Sequence, residues 1–217
     1  MTLDVASLMK KITAPNNILK GSSKARAGAI YALNKRQLKR NFDKHPVTRE
    51  IKGGKLADNI SGTLSFGNLF SFIGFIDGTR PTEDLWDILD NNISFNNEPD
   101  MPRVNGNRVT YSFMVSAPSL RDIYSQTPYP SEKMKGGSWV QGIEDGIPFA
   151  DHYLFSVAGF GKFTDKSRSK TGLQFTKRTF GNSYSTTPYV RNLLKNFQKS
   201  IGQFKFGSIR DVDEIEE

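Results

Sequence analysis

Glu144 and Asp145 stand side by side in GIEDG (142–146). Two carboxylates can hold a divalent cation or share acid–base work, but a magnesium site needs further oxygen ligands at set positions. Adjacent carboxylates on a short helix ordinarily face solvent. The two histidines, His45 in DKHP and His152 in ADHYLF, lie far apart in sequence and make no histidine-rich metal centre. Each reads more simply as structural: His45 ends a helix and His152 sits in a strand. Cysteine is absent, which excludes a thiolate nucleophile, a thiolate metal site and a disulfide framework. There is no P-loop, no GxSxG and no HExxH, and the glycines of GFGK (159–162) lack the GxGxxG spacing that admits a pyrophosphate. No catalytic residue, cofactor or metal ligand is assigned, and a non-enzymatic role is expected.

Charge is the stronger signal. The chain has 30 Lys and Arg against 22 Asp and Glu, a net charge of +8 in 217 residues. Residues 24–44 carry Lys24, Arg26, Lys35, Arg36, Lys39, Arg40 and Lys44 against Asp43 alone. Residues 162–178 carry Lys162, Lys166, Arg168, Lys170, Lys177 and Arg178 against Asp165. The closing DVDEIEE holds Asp211, Asp213, Glu214, Glu216 and Glu217. Basic faces with an acidic tail can bind nucleic acid or copies of the same chain head to tail. Lys35, Arg36, Lys39 and Arg40 on the basic helix, Lys166, Arg168 and Lys170 on a basic tip, and the five tail acids are the candidate contact residues. The basic helix has three open readings: a solvated face, a subunit contact, or a phosphate contact. No helix-turn-helix, zinc-finger or RNA-recognition signature favours sequence-specific binding.

The elements that must position these charges follow from pattern. The length suits one domain, here 22–201, with an N-terminal arm at 1–21 and an acidic C-terminal arm at 202–217. Residues 1–21 predict a short amphipathic helical turn ended by Pro15 and Gly21. Residues 22–44 predict a helix capped by Ser22 or Ser23, with Ala29, Ile30, Leu33, Leu38 and Phe42 as its apolar stripe and His45-Pro46 as its stop. NISGTLSFGNLFSFIGF (59–75) has no charge in a chain that is 24% charged. Gly67-Asn68 predicts a tight hairpin between two apolar strands. Its Leu64, Phe66, Phe70, Phe72, Ile73 and Phe75 are candidate core, each worth about 1.5–3 kcal/mol on burial. A hydrophobic subunit contact is the other reading of that block.

Residues 81–93 predict a helix with Pro81 at its start and Glu83 and Asp84 in its first turn. In 104–118, Val109, Tyr111, Phe113 and Val115 alternate onto one face of a strand after an Asn105-Gly106 turn. Residues 119–137 read as loop, SWVQGIEDGI (138–147) as a short helix, 152–160 and 173–180 as strands flanking the basic tip 161–172. TTPYVRNLLKNFQKSI (186–201) reads as a helix capped by Thr187. The fold class is α+β: a mostly antiparallel sheet packed by two to four helices, with extended arms or loops. Residues 59–75 fall short of the roughly 18 apolar residues of a transmembrane helix. The first residues, with Asp4 before the apolar set and lysines after it, reverse the order of a signal peptide. A cytoplasmic site of synthesis is expected.

HPVTREIKGG (45–54) running into 59–75 resembles virion proteins of contractile-tailed bacteriophages, in which a basic helix, HPVT, a Gly-rich spacer and a GNLFSFIGF block follow in this order. SWVQGIEDGI, SRSKTG (167–172) and TPYVRNLLKNFQ (187–198) fit the same likeness, which covers roughly 24–201. The implied family is similar to the tail-completion and head–tail joining proteins, the neck and tail-terminator subunits. The resemblance implies a small α+β subunit that forms a homo-oligomeric ring, hexameric or dodecameric, in the virion. Its implied partners are copies of itself, other phage neck and tail proteins and genomic DNA in the lumen, with no membrane and no cofactor.

Overall fold

The computed structural model describes residues 5–64, 67–105, 108–130, 137–146 and 185–202. Among them the chain is mixed helix and sheet, in keeping with the α+β class. The helices are α1 (Val5–Lys44), α2 (Pro46–Lys52), α3 (Leu69–Ile73), α4 (Pro81–Asn92), α5 (Leu120–Gln126), α6 (Trp139–Asp145) and α7 (Val190–Gly202). The strands are β1 (Ser94–Phe95), β2 (Arg103–Asn105), β3 (Arg108–Thr110) and β4 (Val115–Ser116), paired β1–β4 and β2–β3, both antiparallel. The expected strands at 152–160 and 173–180 and the tip 161–172, with Lys166, Arg168 and Lys170, lie outside the described residues. So do His152, GFGK and Asp211, Asp213, Glu214, Glu216 and Glu217.

Helix α1 runs for 40 residues, through both Pro15 and Gly21, so the expected stop there is corrected. A proline removes one intrahelical bond and a glycine costs about 1 kcal/mol. Both are local penalties that an already nucleated helix can carry. The buried face is also corrected. Ala27, Asn34, Leu38 and Phe42 are buried and Tyr31 half-buried, whereas Leu33 is 56% exposed and Ala29 exposed. At 3.6 residues per turn, Leu33 falls about 140° and Ala29 about 180° round the helix from Leu38.

The chain divides into two compact units. Among the described residues, the first combines α1 up to Arg36 with 94–116 and 197–202. Tyr31 stacks on Phe95 (ring centroids 5.2 Å) and Phe95 on Phe113 (5.9 Å). Lys20 and Lys24 both pair with Glu98. The β2–β3 register sets Asn105 opposite Arg108; Gly106 of the expected Asn105-Gly106 turn lies outside the described residues. The expected alternation holds: Tyr111 is buried and Val109, Phe113 and Val115 half-buried, while Thr110, Ser112, Met114 and Ser116 are exposed.

The second unit holds 37–93 and 117–196. His45 ends α1 and also starts α2: its backbone is extended (φ −62°, ψ 133°) and its Nδ1 accepts from Val47 N at 3.3 Å, with Pro46 as the first helical residue. Val47, Thr48, Glu50 and Ile51 turn inward. The uncharged block is core, but its second arm is not a strand. Asn68 caps α3, its Oδ1 accepting from Ser71 N at 3.0 Å, while its Nδ2 donates to the Lys55 and Ala57 carbonyls. Gly74 closes α3 at φ 93°, a left-handed position that favours glycine. A short continuous apolar run is equally compatible with a buried strand and a buried helix turn; here the asparagine decided it. Leu64, Leu69, Phe70, Phe72, Ile73 and Phe75 are all buried, and Phe66 lies outside the described residues.

Helices α4 and α6 occupy the expected segments. The loop expected over 119–137 instead contains α5, started by a reciprocal cap: Asp122 N donates to Ser119 Oγ, and Ser119 N donates to the Asp122 carboxylate. The helix α7 begins at Val190, and Thr187 does not cap it. Thr187 Oγ1 instead bonds Thr63 Oγ1 (3.0 Å), and its N–H donates to the Ile143 carbonyl (2.9 Å).

Candidate functional site

Two features of the second unit have functional weight: a set of buried carboxylates that lock its segments, and the exposed cations of α1 and α2. Glu144, expected to face solvent, is 8% exposed. Its Oε1 accepts from Tyr189 N (3.2 Å) and Arg191 N (2.7 Å), and its Oε2 from the Tyr124 hydroxyl (2.6 Å). The carboxylate thus satisfies the first turn of α7 from a different helix, where the helix dipole also favours a negative charge. Arg191 closes the cluster through its Nη2, which donates to Asp145 Oδ1 (3.0 Å) and to the Tyr124 oxygen (3.3 Å).

Burial, and then the hydrogen bond to Glu144, pushes the Tyr124 phenol up to about 12, so it stays a donor. The bonds to Tyr124 and Asp145 raise Arg191. With three donors in place, the Glu144 carboxylate is occupied in holding α5, α6 and α7 together. That use replaces the carboxylate-pair chemistry considered from sequence.

Glu50 does the same work for α2. It is fully buried, its Oε1 accepting from Leu69 N (2.7 Å) and its Oε2 from Ser61 N (2.9 Å). It therefore pins the uncharged block to α2. The imidazole of His45 packs 4.8 Å from the ring of Tyr189. Burial lowers its pKa, against a hydrogen bond to the Pro188 carbonyl that raises it. Tyr189 is buried, shares a 2.7 Å bond with Thr48 Oγ1, and is raised by that burial.

The basic residues expected on α1 fall into two classes. Lys24 pairs with Glu98. Lys35 lies over Tyr31. Lys39 is held by Asp43 Oδ1 (2.8 Å) and lies 4.7 Å from the Trp86 ring centroid. Those cations are engaged by their own chain. Arg36, Arg40 and Lys44 are exposed and make no ion pair with another described residue; Arg40 bonds only Gln37. Helix α2 adds Arg49 and Lys52, exposed and likewise without an ion pair among the described residues, in a segment to which the sequence reading assigned no element. The signal was present in TREIK, where the helix-starting His45-Pro46 puts Arg49 and Lys52 three apart on one ridge.

A cavity of about 210 Å³ between α1, α2 and α4 mixes Lys39 and Lys52 with Asp43, Glu83 and Asp87 and is floored by Phe42 and Trp86. Among the described residues no three histidine or acidic side chains gather as a metal-ligating group, and no helix is long and apolar enough to cross a membrane. Comparison of the chain with protein-family models, with curated proteins and with solved structures finds no match.

Proposed function

We propose that this chain is a non-enzymatic structural subunit of a bacteriophage virion, forming a homo-oligomeric ring at the neck or tail end in the manner of tail-completion and head–tail joining proteins. The observation that carries the reading is the separation of charge: exposed cations on α1 and α2 that pair with no other described residue, and five acids within 211–217 of the same chain. A ring subunit needs two complementary surfaces, and these are of opposite sign. The likeness of 45–75, 138–147 and 187–198 to contractile-tail virion proteins supplies the setting. In this reading the partners are copies of the chain, neighbouring neck and tail proteins and DNA in the lumen, and the larger antiparallel sheet expected from 152–160 and 173–180 belongs to the same subunit.

A second reading, phosphate contact with nucleic acid, is favoured by the same exposed cations. It draws on Lys35, Arg36, Lys39 and Arg40; Lys35 and Lys39 also contact Tyr31, Asp43 and Trp86 of their own chain, and Arg36 and Arg40 are the exposed pair. It requires an affinity for duplex DNA that falls steeply with salt and a slope that flattens when those two are neutralised. Gold-labelled antibody against the chain, applied to purified particles in negative stain, tests the first reading. Label confined to the neck or one end of the tail is expected; unlabelled particles, after disruption as well as intact, would count against it.

A further inference from the structure

We infer that the exposed cationic ridge of Arg40 and Lys44 on α1, together with Arg49 on α2, is the docking surface for the acidic segment 211–217 of a second copy of this chain. The inference rests on the ring reading and assigns the surfaces that would meet.

Of the seven basic residues in 24–44, those with internal work are set apart by geometry. Lys39 is shared between Asp43 and Trp86, whereas Arg40 and Lys44, each the next residue along, are exposed and unpaired among the described residues. They stand one turn apart on one helical ridge. Only His45 separates α1 from α2, where Arg49 is again exposed and unpaired. Lys52 is less available, because Glu83 and Asp87 line the cavity it shares; Arg40, Lys44 and Arg49 do not line that cavity.

Beside the ridge Gln37 Nε2 donates to Asn41 Oδ1 (2.7 Å), and Arg40 Nη2 donates to Gln37 Oε1 (2.7 Å). Exposed cations with no ion pair among the described residues suit a dense anion recognised by its charge. DVDEIEE carries five carboxylates in seven residues and is present at one copy per ridge. The 15 residues after α7 extend to at most about 50 Å, enough to reach an adjoining subunit.

The test is a charge exchange followed by sedimentation velocity at low and high salt. One full-length variant reverses the ridge, Arg40→Glu with Lys44→Glu; the other reverses the segment, Asp211→Lys, Asp213→Lys, Glu214→Lys and Glu216→Lys, leaving Glu217 as its one acid. Each alone should self-associate on the order of tenfold more weakly than the unmodified chain at low salt, with the difference shrinking at high salt. An equimolar mixture should recover association, because each variant then supplies the surface complementary to the other.

Circular dichroism matching the unmodified chain guards against misfolding. Where a reversal fails to fold, Arg40→Gln with Lys44→Gln and Asp213→Asn with Glu214→Asn replace it, with weaker loss expected from each. Unchanged association in either variant, or a mixture no better than its parts, overturns the inference. So does a short DNA duplex whose binding is lost with the ridge reversal while the mixture fails to recover. The virion reading is judged separately, by the presence of the chain in particles: a chain found in particles whose exchange fails retains that reading and loses this contact.

Discussion

Replacing Glu144 tests the lock on which the second unit depends. In Glu144→Ala three donors lose their acceptor: Tyr189 N, Arg191 N and the Tyr124 hydroxyl. Arg191 is half exposed and water can reach its side chain, whereas Tyr189 is buried and its N–H loses the acceptor that Glu144 supplies. Unsatisfied buried donors cost about 1–3 kcal/mol each, and removing one member of a buried charged cluster about 3–5 kcal/mol. A loss of about 3–5 kcal/mol is therefore expected, a large share of the roughly 5–15 kcal/mol of a typical domain.

Glu144→Gln should cost only about 1–2 kcal/mol. Its one oxygen can still face the two backbone donors, and the Tyr124 hydroxyl can turn to accept from the amide. Tyr124→Phe should cost about 1 kcal/mol in the unmodified chain and nearly nothing in Glu144→Ala, the signature of a coupled pair. Urea unfolding followed by tryptophan fluorescence measures all four. A Glu144→Ala loss below about 1 kcal/mol, with the urea dependence unchanged, would refute the capping of α7 by Glu144.

Glu50 presents the opposite case, because both of its oxygens face backbone donors that cannot reverse. Glu50→Gln must turn an amide N–H₂ toward one of them and should cost about 2–3 kcal/mol, more than Glu144→Gln in the same urea assay. A Cβ at Gly28 would sit 3.8 Å from the Phe95 ring, an ordinary contact. Gly28→Ala should therefore stabilise by about 0.5–1 kcal/mol through helix propensity, seen as a higher melting temperature, and Gly28→Leu should not. The His45 pKa lies below 6.5 in the folded chain because of burial. The unfolded state then binds the proton more readily, so this contribution is complete above pH 6.5 and is lost as pH falls through the folded value. His45→Asn keeps a capping acceptor without titrating, and its stability should fall less between pH 7 and 5.

Elements with a strong period or an explicit start were legible in the sequence. Pro81 followed by Glu83 and Asp84 marked α4, and the alternation from Val109 to Val115 marked which side chains turn inward. The misreadings have two physical causes: at α7 a tertiary partner replaced a local signal, and elsewhere a local cap outweighed the composition around it. Helix α7 starts without a cap of its own because Glu144 supplies one from α6, so Thr187 looked like the cap. The 59–75 block is apolar on every side, so periodicity could not separate strand from helix, and Asn68 with Gly74 fixed the outcome. The segment 119–137 looked like loop because of Pro128 and Pro130, which hid the Ser119–Asp122 cap ahead of them. The basic surface was legible as a sum of charge. Which of its members are free was not, since the pairing of Lys39 with Asp43 and Trp86, and the exposure of Arg49, depend on the folded chain.

A ring subunit of a virion, as proposed, is tested by counting its copies. Quantitative mass spectrometry of gradient-purified virus particles from the source culture gives copies of the chain per particle against a capsid protein of known number. A small fixed number is expected, a multiple of six or of three. Absence from the particle, or a number that varies between preparations, would contradict it.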